Sequence, residues 1–520
     1  MSSTASAAAT RQARVGIIGS GFAGLGMALR LRQTGQDDFI VLERGDAIGG
    51  TWRDNDYPGC ACDVPSNLYS YSFAPNPNWT TTFAHQGEIR EYTERVARDN
   101  DLHRSVHLNT FVQDATWNED AKQWHVSTSN GDYVFDVLVS ATGPLSAPSI
   151  PDLPGLEDFD GPVFHSAEWD HSVDLTGKRV AVIGTGASAI QFVPELQKVV
   201  GELKLFQRTP PWLLPRPEFK TSAVRRALFR RIPALQRAGR AWLYWSKELN
   251  VVGFTRFSGI MKAPEVLARM HLKRQIPDNP ELREKLTPNF TIGCKRILLS
   301  SNYFPALNKP NVEVLATGVS AIGKNSVVGT SGEEREVDAI VLGTGFHVTD
   351  LPIADHVRGT GGQTLTQAWS GGMQAYKGAT VPGFPNFFFV LGPNTGLGHS
   401  SMIFMIEASV QYVIDALEQM DRGRLASVDV RPERARRFNE GLQKRMQPTI
   451  WLNGGCASWY LDEHGHNTTL WPDFTFRFRQ LTARFDIESY TTLPRREAAA
   501  APAMPVASTK PTEPEAEPVA

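Results

Sequence analysis

A glycine-rich turn between an apolar strand and a helix occurs twice in this chain, and the two copies together constrain its fold. Val15-Gly16-Ile17-Ile18 reads as a buried parallel strand. It runs into Gly19-Ser20-Gly21-Phe22-Ala23-Gly24 and a helical stretch, Leu25–Gln33, and the next strand, Phe39–Leu42, ends at Glu43. This is a βαβ unit with G-x-G-x-x-G at the strand–helix turn. Glycines there let backbone N–H groups approach a pyrophosphate at the helix N-terminus. The strand Arg179–Ile183 leads likewise into Gly184-Thr185-Gly186-Ala187-Ser188-Ala189, and its following strand, Leu203–Gln207, ends at Arg208. Ala189 replaces the third glycine, a tolerated variant. Glu43 and Arg208 each stand 24 residues after the first glycine of their unit. A carboxylate accepts hydrogen bonds from a ribose and repels a 2′-phosphate, whereas a guanidinium grips that phosphate with two N–H groups. The first unit therefore suits FAD or NAD, and the second suits NADPH. A single such turn is a weak signal, but two in full βαβ context, with the terminal residue switched, are a strong one. The competing readings are two ligand-free structural turns and a nucleotide sensor without catalysis.

At 520 residues the chain exceeds what one core organises, so two or three domains are expected. A net charge of −2 gives no general attraction to polyanions, which argues against a nucleic-acid partner. Cys60, Cys62, Cys294 and Cys456 are too few and scattered for a disulfide scaffold, and Cys-x-Cys is neither a redox nor a typical zinc spacing. All four read as reduced thiols, no metal site is expected, and the compartment reads as cytoplasmic. Met1–Arg14 lacks the apolar core of a signal peptide, and no apolar run is long enough to span a membrane. From about Arg495 to Ala520 the chain is Ala, Pro, Glu and Lys without an aromatic, the composition of a disordered tail.

Two further strands repeat one design. Phe135–Gly143 and Val337–Gly345 are Asp-led apolar runs, each closing on a small-Thr-Gly turn. This resembles two-dinucleotide flavoproteins, in which such strands mark where the chain leaves one nucleotide domain and later returns. The implied fold class is α/β with two Rossmann-like domains. A discontinuous FAD domain comprises 12–150 and 346–494, and an inserted NADPH domain comprises 151–212 and 291–345. Residues 213–290 fit neither pattern. Their arginine-rich stretch Thr221–Arg240 and the run Ala241-Trp242-Leu243-Tyr244-Trp245 read as a helical insertion. Its basic-aromatic mix reads first as a solvated helical face, and second as a contact to membrane or to a lipophilic entrance.

Three motifs narrow the chemistry. Phe159-Asp160-Gly161-Pro162-Val163-Phe164-His165-Ser166-Ala167-Glu168-Trp169-Asp170 fits F-x-G-x-x-x-H-x-x-x-W-D at every specified position. Gly49-Gly50-Thr51-Trp52 followed by Tyr57-Pro58-Gly59 and Asp63 fits G-G-x-W-x-x-x-x-Y-P-G-x-x-x-D, and Cys294-Lys295-Arg296 is a third match. By these motifs the chain resembles the Baeyer–Villiger monooxygenases from about Val15 to Trp471. The resemblance implies conversion of a small-molecule ketone and O2 to an ester or lactone, through a C4a-peroxyflavin, in a monomer or weak homodimer. The related flavin monooxygenases that oxidise sulfur or nitrogen are the alternative; they lack the Asp63 and Arg296 pair as a set.

The resemblance also distributes roles. Arg296 supplies a fixed positive charge for the attacking oxygen anion, and Asp63 holds it. The FAD site takes Gly19, Gly21, Phe22, Ala23, Gly24, Glu43, Gly50, Thr51, Trp52, Asp63, Tyr69 and Met402. The NADPH site takes Gly184, Thr185, Gly186, Ala187, Ser188, Gln191, Arg208, Thr209, Lys295, Arg296 and Trp459, the last on a loop that closes over the nicotinamide. Trp52 and Tyr57 pack near flavin and nicotinamide. His165 reads as part of a linker coupling the domains rather than as a base. Leu391–Met402 is a glycine-rich loop entering a helix, Ile403–Leu417, aimed at the flavin. Aromatic-rich composition suggests an apolar ketone.

Overall fold

The computed structural model describes residues 10–495, so the expectations for the extreme N-terminus and for the tail beyond Arg495 lie outside the described residues. Two sheets with parallel centres organise the chain. In the first, the strands Gly131–Ser140, Arg11–Ile18, Phe39–Leu42 and Val106–His107 run side by side and parallel, with Ile18 opposite both Leu42 and Ser140. The second is wholly parallel, in the order Val312–Leu315, Glu202–Phe206, Arg179–Ile183, Ala339–Leu342, Val163–His165. Ile17, Val41 and Val139 in one sheet, and Val180, Val182 and Val341 in the other, are wholly buried. Strands covered on both faces read as continuous apolar runs, which is why the sequence exposes them clearly.

The repeat extends beyond the glycine turns. Each sheet is joined to a three-stranded antiparallel meander. In the first the meander is Val112–Asn118, Gln123–Thr128 and Gly131–Ser140 itself; in the second it is Val319–Ile322, Ser326–Gly329 and Glu334–Glu336, directly before Ala339. The Asp-led strands end earlier than their apolar runs suggest, at Ser140 and Leu342. The small-Thr-Gly triplets beyond them leave the sheets as turns, and the two crossing segments pair with each other. Ser149 N–H donates to the Gly345 carbonyl at 2.9 Å, His347 N–H to Ala147 at 3.0 Å, and Thr344 Oγ1 to Ser149 at 2.6 Å. Chain entering and leaving the second sheet is thereby tied into one two-stranded connection.

The returning chain rebuilds the first sheet. Phe387–Phe389 pairs in parallel with Leu138–Ser140, and the helix Met402–Arg422 packs on the helix Phe22–Gln33. That helix begins one residue before the predicted start and runs five beyond the predicted Leu417. Its last turns are held by buried Met420 and by the Glu418–Arg422 ion pair at 2.7 Å. Five helices lie between 213 and 290: Ala223–Arg231, Pro233–Glu248, Val251–Thr255, Lys262–Gln275 and Pro280–Lys285. A short parallel pairing of Leu213–Leu214 with Leu298–Leu299 closes the base of this region.

One expectation is overturned. Cys294 and Cys456 form a disulfide across 162 residues of sequence, while Cys60 and Cys62 are buried free thiols. Neither half of the pair has a local spacing that announces it; the fold brings the 291–296 turn and the 454–461 loop together, and Thr291 N–H donates to the Gly454 carbonyl at 2.9 Å.

The tightest point of the first turn is Gly24, where a β-carbon would lie 1.8 Å from the Gly19 carbonyl oxygen. Both partners are backbone, so no rotamer change relieves the clash. Gly24→Ala is expected to cost about 3 kcal/mol, measured as a fall in denaturation midpoint. An unchanged midpoint would mean that the turn is looser than described.

Candidate functional site

Each glycine turn follows the central strand of its sheet, at the ends Ile18 and Ile183. Gly19 takes φ +101° and Gly184 φ +109°, conformations open to glycine and strained for other residues. Gly21 lies back to back with Gly50, whose absent β-carbon would come 2.9 Å from the Gly21 Cα. A β-carbon on Gly186 would meet nothing closer than 3.8 Å, so that side of the second turn is open. Both turns thus present bare backbone at a helix start, a cradle suited to a pyrophosphate. Phe22, Ala23, Thr51 and Trp52 flank the first. Phe22 packs edge-on to Tyr69 at 5.2 Å, and the Trp52 indole donates to Tyr69 Oη at 2.9 Å. Ala187, Ser188 and the helix Ala189–Leu196 follow the second, where Thr185 Oγ1 donates to the Thr209 carbonyl at 3.0 Å.

Glu43 is at the end of its strand, as the sequence places it, but its carboxylate is fully engaged. Oε2 accepts from Ser20 N–H and Oγ at 2.9 and 2.6 Å, and Oε1 accepts from Gly45 N–H at 2.8 Å and Arg53 Nη1 at 2.7 Å. Burial pushes its carboxyl up; the Ser20 and Arg53 bonds more than offset this and leave it below the ordinary carboxylate range. Glu43 is therefore a fixed anion whose present partners include two side chains, Ser20 and Arg53, that can rotate away from a ribose. At the matching point of the second unit, Arg208 is exposed. Burial and the nearby Arg208 both pull the Lys295 ammonium below its usual range, and Lys295 Nζ sits 5.2 Å from the Phe290 ring centre. Two facing cations suit a dianionic phosphate.

Asp63 and Arg296, 233 residues apart, meet in a two-pronged ion pair. Arg296 Nε donates to Oδ2 at 3.0 Å, and Nη2 donates to Oδ1 and Oδ2 at 2.8 and 2.7 Å. The side chains remain 31% and 24% exposed, so the pair borders open space. The Asp63 carboxylate holds the Arg296 guanidinium above even its ordinary high range. Two neighbours escaped the sequence reading. Buried Tyr460 has its phenol pushed up to about 12 by burial, with Arg296 pulling the other way. Lys247, on the helix Pro233–Glu248, has its ammonium lowered by burial and partly restored by Asp63. Asp63 thus pairs with Arg296 and lies near enough for its charge to be felt at Lys247. No local signal marks either residue, since Tyr460 follows a motif-poor loop and Lys247 sits in an ordinary helical run.

Other predicted residues take different places. Gln191 bridges the two units: its Oε1 accepts from Tyr57 Oη at 3.0 Å and Ala61 N–H at 3.2 Å, and its Nε2 donates to the Ala61 carbonyl at 2.9 Å. Trp459 is 46% exposed, lying against Tyr460 at 4.3 Å between ring centres. Met402 opens its helix beside the cap residue Ser401, whose Oγ accepts from Ile403 N–H at 3.3 Å. In the adjoining loop the Ser400 hydroxyl is buried without a partner, a donor available to a ligand at this helix start. His165 is 1% exposed at the edge strand of the second sheet and packs edge-on against Phe346. Its Nδ1 accepts from Ala167 N–H at 3.1 Å, which puts the proton of the neutral ring on Nε2.

Two dinucleotide cradles flanking a carboxylate-anchored arginine define a two-nucleotide flavoprotein oxygenase. The model for flavin-binding monooxygenase-like proteins matches residues 12–238. A Baeyer–Villiger monooxygenase of Streptomyces coelicolor is 53% identical over 481 residues, covering 92% of each chain. One of Pseudomonas aeruginosa is 51% identical over 498 residues, covering 95% of this chain and 94% of its own. Among solved structures, an oxidized steroid monooxygenase bound to NADP superposes with a TM-score of 0.82 at 29% identity, over 93% of this chain and all of its own. Cyclohexanone monooxygenase from a Rhodococcus bound to NADP+ gives 0.83 at 26%, over 94% of this chain and all of its own. The chain belongs to the Baeyer–Villiger monooxygenases.

Burial lowers the His165 pKa to about 4, below the ~6.5 of an unfolded imidazole. The unfolded chain then binds more protons between these values, so stability contributed by neutral His165 is complete above pH ~6.5 and is lost as pH falls toward 4. The loss is on the order of 2 kcal/mol by pH 5. His165→Gln is expected to flatten the acid limb of the melting-temperature profile between pH 6.5 and 4.5; a profile parallel to wild type would assign that limb to other groups.

Proposed function

We propose that this chain is an FAD- and NADPH-dependent Baeyer–Villiger monooxygenase that inserts one oxygen atom of O2 beside the carbonyl of an apolar ketone, giving an ester or lactone. The observation that carries the reading is the two-pronged, part-exposed Asp63–Arg296 pair in a chain that also holds the two glycine cradles. The family's sulfur- and nitrogen-oxidising cousins need no such charge, because their oxygen is transferred as an electrophile. Reaction at a carbonyl carbon requires a nucleophilic, negatively charged oxygen.

The FAD domain is assigned to 12–150 and 346–494, and the NADPH domain to 151–212 and 291–345 with the helical insertion 213–290. Gly19, Gly21 and Gly24 cradle the FAD pyrophosphate, and Glu43 orients its ribose. Gly50, Thr51, Trp52, Tyr69 and Met402 line the flavin. Gly184, Thr185, Gly186, Ala187 and Ser188 cradle the pyrophosphate of NADPH, and Arg208, Thr209 and Lys295 take its 2′-phosphate. When bound, FAD reduced by NADPH supplies the activation of O2. Arg296 cannot give up its proton at any pH the protein survives, so it stabilises the oxygen anion without neutralising it. Asp63 fixes the guanidinium plane through its two-pronged bond. Tyr460, neutral because its phenol is pushed up to about 12, can hold but not consume a proton nearby. Trp459 and its loop exclude water from the nicotinamide side. A monomer or weak homodimer is assigned; no helix among the described residues is long and apolar enough to cross a membrane.

Arg296→Ala is expected to reduce ester or lactone formation by about 10²–10³-fold, while NADPH still bleaches the flavin under anaerobic conditions. Product formation at wild-type rates would remove Arg296 from the reaction. Arg208→Ala is expected to raise KM for NADPH by roughly 10–100-fold, the worth of a charge-assisted bond, and to leave KM for NADH nearly unchanged. Equal losses for both nucleotides would place the 2′-phosphate elsewhere.

A further inference from the structure

The helix Pro233–Glu248 is mounted inside out. Its polar side chains Gln236, Arg240, Lys247 and Glu248 face the protein. Gln236 and Glu248 are 5% and 1% exposed. Gln236 Nε2 donates to the Asn76 carbonyl at 2.7 Å, and Arg240 Nη1 donates to the Asn67 and Leu68 carbonyls at 2.9 and 3.1 Å. Glu248 accepts from Thr475 Oγ1 at 2.8 Å. Its apolar residues Leu235, Trp242, Trp245 and Leu249, spaced i, i+7, i+10 and i+14, lie along one face that points to solvent. They are 42%, 70%, 54% and 69% exposed. A surface helix ordinarily turns this stripe to the core. Here the inner positions are taken by buried hydrogen-bonded polar groups, so the helix cannot roll over without stranding them. The packed helix Ala223–Arg231 adds Val224 at 78% and Leu228 at 41% exposed.

The charge around this face is one-sided. Between Lys220 and Gln275 the chain carries thirteen Lys and Arg and two acidic residues, Glu248 and Glu265, although its overall charge is −2. Glu248 is buried, and Glu265 is paired with Arg269 at 2.9 Å. Arg225, Arg230, Arg231 and Arg237 are exposed and have no carboxylate partner among the described residues. A second copy docking through the same patch would set this cluster of arginines against itself. An anionic lipid surface accepts both components, the tryptophans and leucines at the headgroup–acyl boundary and the arginines among the phosphates.

We propose that the outward face of the helices Ala223–Arg231 and Pro233–Glu248 docks the enzyme peripherally on an anionic membrane surface, without spanning it.

The test uses the full-length FAD-loaded enzyme in flotation with vesicles of phosphatidylcholine alone and of phosphatidylcholine mixed with phosphatidylglycerol. The expected result is a bound fraction roughly tenfold higher on the anionic vesicles, lost at high salt. Trp242→Ser/Trp245→Ser and Arg225→Glu/Arg230→Glu/Arg231→Glu should each abolish binding, with FAD content and turnover of a water-soluble ketone at wild-type levels. Brominated phosphatidylglycerol should quench part of the wild-type tryptophan emission, a readout that needs no variant. Absence of binding, equal and salt-independent binding to both vesicles, or binding undiminished in correctly folded variants would overturn the proposal. So would a dimer in sedimentation that Trp242→Ser dissolves, because the face would then belong to a second copy.

Discussion

The Asp63–Arg296 ion pair organises the molecule around it. It joins a loop that follows the first glycine turn to the segment that closes the helical region, beside the bonds by which Arg216 and Arg240 hold the same loop. An arginine largely withdrawn from water needs a carboxylate partner, and Asp63 supplies it through both oxygens. The Asp63 charge also reaches Lys247, and the Arg296 charge reaches the buried Tyr460. The disulfide adds a covalent restraint at the same place. Cys294 directly precedes Lys295 and Arg296, and Cys456 lies shortly before Trp459 and Tyr460. One bond therefore holds the backbone of the arginine and the backbone of the loop beside it.

What was legible in the sequence is what local geometry encodes. The βαβ turns, the Glu43 and Arg208 strand ends and the Asp-led strands follow from spacings of a few residues, and the Asp63 and Arg296 positions from motifs of similar length. Strand ends were overrun, because apolar triplets such as Ala141-Thr142-Gly143 continue the pattern after the hydrogen bonding has stopped. The residues that were missed act only through long-range approach. Cys294 and Cys456 are unremarkable until the fold brings their turns together, and Lys247 is one lysine in a basic stretch. Gln191, expected at the nucleotide, also has a role the sequence did not show: its amide bonds Tyr57 and Ala61, tying the second unit to the first.

The helical region illustrates a sharper limit. Periodicity locates an apolar stripe on a helix but carries no sign, so it cannot say whether the stripe faces core or solvent. A basic, aromatic helix reads most simply as one with charges outward. In Pro233–Glu248 Arg237 does face solvent, but Gln236, Arg240 and Glu248 turn inward because the body beneath offers carbonyls at Asn67, Leu68 and Asn76 and the hydroxyl of Thr475, all of which demand polar partners. Tyr244 is the exception that fixes the register. Its ring stacks on Phe404 at 4.8 Å, while its hydroxyl lies 3.0 Å from Thr475 Oγ1.

That inner polar face also bears on the flavin loop. Glu248 is 1% exposed on a helix of the insertion, and buried His399 approaches it with Nε2 3.6 Å from Oε2. His399 belongs to the glycine-rich loop that opens the helix Met402–Arg422, so the insertion and the flavin-side loop share one buried carboxylate. Such a carboxylate is costly unless its acceptors are satisfied. Thr475 meets that need through both its N–H and its hydroxyl. The helix that faces solvent with tryptophan is thus held, one turn from Trp245, by the Glu248–Thr475 bonds beside this glycine-rich loop. Its orientation is a property of the whole site rather than of the surface alone.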